Sequence, residues 1–233
     1  IRLNHPYLEA PSLEEKLKHN KIKDSNAFDK KDVISTVTIY AEALQYASKE
    51  LKADKEVVMA AVKNDGWVLQ YASKELQADK ETVMVAIKNY KISEKKESIF
   101  QYVSKDLKSD KKIVMAAVKN DSRELEYASE ELKADKEVVM AAVMKNGYLL
   151  QYASKELKAD KEVVMAAVKQ DGTALKFASK KLKNDKKVVM IAVTSDGRAL
   201  QSLSKELKAD KEVVMAAVKS SGNVLEYASK ELK

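Results

Sequence analysis

A sixteen-residue sequence, SKELKADKEVVMAAVK, occurs three times without change, at Ser48–Lys63, Ser154–Lys169 and Ser204–Lys219. Near-copies fill most of the intervening chain, and together they define a repeat that opens on an aspartate. The repeats begin at Asp29, Asp54, Asp79, Asp110, Asp135, Asp160, Asp185 and Asp210. Every spacing is 25 residues except the 31 between Asp79 and Asp110. A fixed period of about 20–50 residues is typical of stacked-repeat proteins, which usually work as binding surfaces.

The pattern within one repeat predicts two helices. Only five Gly and two Pro occur in 233 residues, and 34% of the residues are charged, which favours helix throughout. In the second repeat, Asp54 is a favourable N-cap for a mostly buried helix over residues 55–64. Gly66 is expected to end that helix in the left-handed conformation, and a second helix is predicted over residues 67–77.

These elements predict an all-α fold, an α-solenoid of eight 25-residue helix-turn-helix repeats over residues 29–233. Residues 1–28 do not match the repeat and are expected to form an N-terminal cap segment. The capping-box sequence that begins at Ser12 predicts a short helix over residues 12–20. The six extra residues of the third repeat fall within 90–98 and predict a loop. Such a loop is either a binding element or a tolerated longer turn.

The pattern D-K-x-V-V-M-A-A-V-K-x-x-G-x-x-L-x-Y-A-S-K-x-L-K resembles the tandem repeats of domain-of-unknown-function family 4116. The resemblance covers residues 29–233. It implies helical repeats and brings no catalytic or ligand-binding residue with it. The first repeat departs most from the pattern, and Ser202-Leu203 replaces Tyr-Ala in the seventh.

No residue pattern in the chain predicts catalysis, a cofactor or a metal. The chain has no cysteine, and its two histidines, His5 and His19, lie outside the repeats without metal-ligand spacing. The carboxylates recur at fixed repeat positions, which indicates a structural role rather than an acid–base pair. We therefore expect a non-enzymatic protein. The sequence shows no signal or membrane-spanning segment and identifies no compartment, being compatible with a cytoplasmic protein or a secreted effector.

One repeat position varies while its neighbours stay nearly constant. We call it the variable position: it follows the glycine and holds, for example, Trp67, Arg123, Tyr148 and Arg198. Such variety is not required by packing and indicates a surface for an unknown protein partner, although drift of a solvated surface would give the same pattern. The candidate partner-binding residues are Trp67, Gln70, Lys74, Tyr90, Arg123, Tyr148, Gln151 and Arg198.

Positive charge concentrates in the sixth and seventh repeats, which carry net charges of +3 and +2 out of +7 for the chain. This zone, residues 160–209, predicts an alternative function as an anion-binding module for nucleic acid or anionic lipid. Its candidate residues are Lys176, Lys180, Lys181, Lys183, Lys186 and Lys187.

Two further expectations concern the repeat surface. An aromatic residue recurs near the end of the second predicted helix, and we call this the aromatic position. It holds Tyr46, Tyr71, Tyr102, Tyr127, Tyr152, Phe177 and Tyr227, with Ser202 in the seventh repeat. We expect these rings to flank the core rather than to stack nucleobases. The last repeat keeps an interior-type sequence, which predicts either further chain or self-association at that end.

Overall fold

The computed structural model describes residues 30–91 and 98–233. The expected helix at residues 12–20 and most of the predicted loop at 90–98 lie outside these residues. The described part contains helices and no strand, which confirms the all-α repeat fold. The chain divides into two compact units, residues 1–104 and residues 105–233. The predicted division into residues 1–28 and 29–233 stays a prediction.

Each repeat begins with a long helix. In the first unit these helices span Lys30–Ile39, Lys55–Asn64 and Lys80–Asn89. In the second unit they span Lys111–Asn120, Lys136–Val143, Lys161–Gln170, Lys186–Ser195 and Lys211–Ser220. The capping aspartate was predicted correctly: the Asp54 carboxylate accepts hydrogen bonds from the backbone N–H groups of Glu56 and Val57 at 3.0 and 3.2 Å.

The predicted second helix is wrong as a single element, because it divides into a 3-10 helix and a short closing turn of helix. The 3-10 helices span Ala41–Tyr46, Gly66–Tyr71, Ile99–Gln101, Ser122–Tyr127, Gly147–Tyr152, Gly172–Phe177, Gly197–Ser202 and Gly222–Tyr227. The closing helices span Lys49–Lys52, Leu76–Ala78, Lys105–Lys108, Glu130–Lys133, Leu157–Ala159, Lys180–Lys183, Lys205–Lys208 and Lys230–Leu232.

In most repeats a hydrogen bond to the preceding repeat accompanies the division, although the seventh repeat divides at Leu203 without it. Ala72 is extended at φ −68° and ψ 159°, and the backbone N–H of Ser73 donates to the carbonyl of Lys52 in the preceding repeat at 2.9 Å. The same bond joins Ser154 to Lys133 and Ser179 to Lys158. An N–H committed to the preceding repeat cannot also continue an α-helix, so tertiary structure overrides the local helical pattern.

The core follows the predicted apolar positions. In the second repeat, Val57, Val58, Ala61 and Val62 are fully buried, and successive long helices pack against each other within each unit. The buried residues of the 3-10 helices complete this layer, as with Leu69, Leu150 and Leu200. A single repeat cannot bury this face alone, so each repeat depends on its neighbours.

The glycines serve close approach and not left-handed backbone. The predicted left-handed conformation is wrong, because none of the five glycines, all within the described residues, has a positive φ. A Cβ built on Gly172 would lie 2.1 Å from the carbonyl oxygen of Ala192 in the next repeat, and one on Gly66 would lie 1.8 Å from that of Ala86. The absence of a side chain lets one repeat seat on the next.

Candidate functional site

The variable position lies at the start of each 3-10 helix, where a short capping side chain fixes the local backbone. Asn146 Oδ1 accepts a hydrogen bond from the N–H of Tyr148 at 3.1 Å. Asp171 and Asp196 make the same contact to Thr173 and Arg198, each at 2.9 Å. The cap fixes the register in the fourth to seventh repeats, which present Arg123, Tyr148, Thr173 and Arg198 at an equivalent place; in the last repeat Ser221 makes no such bond.

In the first unit, the variable residue Trp67 is half-buried between two tyrosines. Its ring centroid lies 6.4 Å from that of Tyr90 and 5.8 Å from that of Tyr102, the aromatic residue of the next repeat. Tyr90 itself is only 4% exposed. Its side chain belongs to the core of this unit, and we therefore leave Tyr90 out of the proposed binding surface.

The other candidates of the second repeat make local contacts. Gln70 donates from its side-chain amide to the carbonyl of Trp67 at 3.5 Å, and Lys74 Nζ donates to the side chain of Gln77 at 2.8 Å. Gln77 is 2% exposed, and its amide donates to the carbonyls of Leu69 and Gln70. In the fifth repeat, a lysine takes the place of Gln77: Lys158 Nζ donates to the carbonyl of Gln151.

In the second unit, four variable residues are exposed: Arg123, Tyr148, Arg198 and Asn223. Tyr148 is 40% exposed, and the side chains of Arg123 and Arg198 are 51% and 68% exposed. Each arginine folds back on its own capping aspartate, with the Arg198 Nε donating to both carboxylate oxygens of Asp196 at 3.0 Å. The Arg198 guanidinium lowers the pKa of Asp196 below its ordinary value, and the pair holds the arginine side chain in place.

Tyr148 contacts two residues of the following repeat. Its ring meets that of Phe177 edge to face, with centroids 4.9 Å apart. Lys176 Nζ lies 4.4 Å from the Tyr148 centroid and 4.9 Å from the Phe177 centroid, and it donates to the Tyr148 hydroxyl at 3.3 Å. Within the described residues, Lys176 forms no salt bridge. Its ammonium group is held by the Tyr148 hydroxyl and by the faces of the two rings.

The six lysines predicted to bind anions fall on three elements. Lys176 lies on a 3-10 helix, three others on the closing helix Lys180–Lys183, and Lys186 and Lys187 on the next long helix. Lys186 Nζ is engaged, at 2.8 Å from both Asp210 Oδ2 and Glu212 Oε2.

That pair belongs to a ladder of ion pairs between repeats. Lys30 reaches Asp54 and Glu56, and Lys136 reaches Asp160 and Glu162, in the same way. At Lys161 the ladder is incomplete. Its Nζ pairs with Asp185, but Lys187 stands where Glu137, Glu162 and Glu212 stand in other repeats; the fourth repeat has a lysine, Lys112, at the same position.

Three residues at this surface were not among the predicted binding residues: Phe177, Thr173 and Ser202. A cleft of about 550 Å³ in the second unit is lined by the last two together with Tyr148, Lys176, Arg198 and Gln201. The sequence does show that Thr173 and Ser202, 29 residues apart, are small residues at positions where other repeats carry larger side chains. Only the structure shows that these two positions face each other.

The described residues contain neither a metal-binding cluster nor a membrane-spanning helix. No group of three or more His, Cys, Asp or Glu placed to hold a metal ion was found in residues 30–91 and 98–233. Over the same residues, no helix has both the length and the apolar character needed to cross a membrane.

Comparison with protein families gives repeated matches to the domain of unknown function DUF4116. The matches cover residues 29–77, 54–93, 79–133, 135–183 and 185–233. The chain belongs to this family. The last two DUF4116 matches each cover a pair of the 25-residue repeats. Neither the search of curated proteins nor the search of solved structures gives a match.

Proposed function

We propose that this DUF4116 chain is a non-catalytic repeat scaffold that binds another protein through its variable positions. The main support is that Arg123, Tyr148 and Arg198 are exposed at the same position of repeats that are otherwise nearly constant in sequence. Tyr and Arg are the side chains enriched at the centres of protein interfaces. Their fixed geometry favours binding, because a capped backbone and a folded-back arginine lose little freedom on association.

The test compares two matched triple variants of the full chain. One changes Arg123, Tyr148 and Arg198 to alanine. The control changes Lys112, Glu137 and Lys211, three exposed residues of the long helices, to alanine. A partner is isolated on the wild-type chain, purified and titrated against both variants by calorimetry. We expect the first variant to weaken binding at least about a hundredfold and the control to change it less than about threefold.

Equal binding of the partner to the wild type and the variable-position variant would exclude this surface. Failure to capture any partner would count against a scaffold role. Both variants change exposed side chains, so circular dichroism melts are expected to show that both keep the fold. A difference in binding then reports the surface and not unfolding.

A second candidate function, binding of polyanions, is favoured by the incomplete rung at Lys161, where Lys187 leaves local positive charge unmatched. It predicts that binding of single-stranded RNA or anionic vesicles falls steeply as salt is raised. Changing Lys180, Lys181, Lys183 and Lys187 to glutamate is then expected to abolish that binding. Binding that survives these changes, or no binding at low salt, would reject this function and leave the protein scaffold.

A further inference from the structure

A ring contact between neighbouring repeats recurs on the candidate surface. The variable residue of one repeat meets the aromatic position of the next, as Trp67 meets Tyr102 in the first unit. In the second unit Tyr148 meets Phe177. In both pairs the ring centroids lie within ordinary aromatic contact distance. Each pair of rings therefore fills the groove between its two repeats.

Between the sixth and seventh repeats, neither of the two equivalent positions holds an aromatic residue. Thr173 occupies the variable position of the sixth repeat, and Ser202 is the one non-aromatic residue at the aromatic position. The space between them is the cleft of about 550 Å³. Ser202 does not turn its hydroxyl into this space, because its Oγ donates to the carbonyl of Ala199 at 2.9 Å. Two small residues in one contact therefore leave a site large enough for a side-chain ring.

The backbone also departs from the pattern at this junction. The bond by which a serine N–H reaches the lysine carbonyl of the preceding repeat occurs at Ser154, Ser179 and Ser229. Among the described residues, it is missing between Ser204 and Lys183. The sixth and seventh repeats thus lack both the ring contact that joins the fifth and sixth repeats and the backbone bond from serine to lysine.

The walls of the cleft combine aromatic and cationic groups. The Tyr148 ring forms one side, and Lys176 lies over that ring without a salt bridge in the described part of the chain. Arg198 lines the cleft with its guanidinium held by Asp196 through Nε and Nη2, which leaves Nη1 outside that ion pair. These repeats also carry five of the seven net positive charges of the chain. Such a site is complementary to a ring with negative charge beside it.

We propose that the cleft binds an aromatic side chain of a protein partner, presented in an acidic segment. The inserted ring takes the place of the missing pair between Thr173 and Ser202 and stacks against Tyr148. Flanking carboxylates of the segment pair with Lys176 and Arg198. This proposal rests on the proposed scaffold function and specifies the chemistry of its partner.

The experiment titrates the full chain with the peptide acetyl-Glu-Glu-Tyr-Glu-Glu-amide, followed by NMR of the alanine and threonine methyl groups. We expect a Kd below about 1 mM, with shifts at Thr173 and Ala199. The peptide with alanine in place of tyrosine is expected to bind at least about tenfold more weakly, and so is the peptide with lysines in place of the glutamates.

Two variants connect binding to the cleft. Ser202→Tyr restores the residue of most other repeats and fills the space, so it is expected to fold normally and to reduce binding at least about tenfold. Asn223→Tyr adds the same ring at the exposed variable position of the last repeat and is expected to leave binding unchanged. Lys176→Gln removes one positive charge from the cleft. It is expected to weaken binding of the acidic peptide but not binding of the peptide with lysines in place of the glutamates.

The proposal is overturned if the tyrosine and alanine peptides bind equally, if Ser202→Tyr leaves binding unchanged, or if the acidic peptide does not bind at all. Each of these results leaves the scaffold function open, because partner capture through Arg123, Tyr148 and Arg198 is measured separately. Conversely, peptide binding that responds to Ser202→Tyr, combined with a partner indifferent to the variable positions, would reject the scaffold function while locating a ring site.

Discussion

The glycine before the variable position shows how one residue sets the distance between repeats. Its missing Cβ admits the carbonyl of an alanine twenty residues later, as in the Gly172–Ala192 pair. The first and fourth repeats carry Ala41 and Ser122 at this position, so the junction can accommodate a Cβ by shifting. The glycine is therefore a packing preference with a finite cost.

The chain supplies its own control for this cost. Gly172→Ala is expected to destabilise the protein by about 1–3 kcal/mol, because the new methyl group overlaps the Ala192 carbonyl. Gly222→Ala is expected to be neutral or stabilising by up to about 1 kcal/mol, since nothing lies within 4 Å of its Cβ position. Thermal melts of the two variants measure the difference. Equal changes of stability in the two variants would show that the contact with Ala192 does not determine the preference for glycine.

The same residue shows what sequence reasoning can reach. The repeat period located Gly66 at a turn, and the general preference of helix ends for glycine then suggested left-handed backbone. The contact that decides its role lies in the following repeat and is invisible in a single copy of the motif. Thr173 and Ser202 are a second case, because the vacancy between them exists only once the two repeats are stacked.

At the scale of elements, the long helix was predictable and its partner was not. Residues 55–64 are helical as expected, because capping, apolar periodicity and propensity all agree there. The predicted core positions of the second element are also buried, including Val68, Leu69 and Leu76. Its backbone differs because the Ser73 N–H bonds to Lys52, a nonlocal contact that local periodicity does not encode.

The long helices depend on their capping aspartates more than on the ion-pair ladder. Asp160 accepts backbone hydrogen bonds from Glu162 and Val163 and also meets Lys136 at 2.9 Å. Asp160→Ala is expected to cost about 1 kcal/mol and Lys136→Met is expected to cost less, because exposed ion pairs contribute little. Asp160→Asn keeps the capping hydrogen bonds and removes the charge. Its free energy of unfolding in urea is therefore expected to be close to that of Lys136→Met. A larger loss for Lys136→Met than for Asp160→Ala would contradict this ranking.

The ladder also predicts how stability depends on acidity. Hydrogen bonds from the paired lysines are the main cause that lowers the pKa of Asp54, Asp160, Asp185 and Asp210 below the ordinary value of 3.8. The unfolded chain then binds more protons than the folded chain near and below that value, so stability is present above it and is lost as the pH falls. We expect the melting temperature to drop as the pH is lowered from about 5 toward 2.

The measurement is a series of thermal melts across that range for the wild type and for Asp160→Asn. The variant lacks one titrating group and is expected to lose less stability between neutral and acid pH. A melting temperature that stays constant down to pH 2, or an identical pH dependence in the variant, would show that the ladder does not contribute through ionisation.

At the scale of the whole molecule, the last repeat of this chain exposes apolar groups that other repeats cover. Leu225 is 36% exposed, whereas its counterpart Leu200 is fully buried, and Met215 is 63% exposed. Gly222 belongs to the same surface. The equivalent glycines of other repeats lie against a backbone carbonyl of the following repeat, whereas nothing lies within 4 Å of the Cβ position of Gly222. A surface already shaped to receive a repeat is complementary to repeats of the same kind.

We therefore expect residues 1–233 to self-associate as concentration rises, with a weight-average mass in sedimentation equilibrium that exceeds the 26.0 kDa of the monomer. Met215→Glu combined with Leu225→Glu is expected to restore the monomer, because burying two new carboxylates in a contact is unfavourable. Met144→Glu is the control, since Met144 is also exposed, at 58%, but lies within the array. If the control suppresses association equally, or if the wild type stays monomeric at millimolar concentration, the last repeat needs no cover and the exposed surface is not an interface.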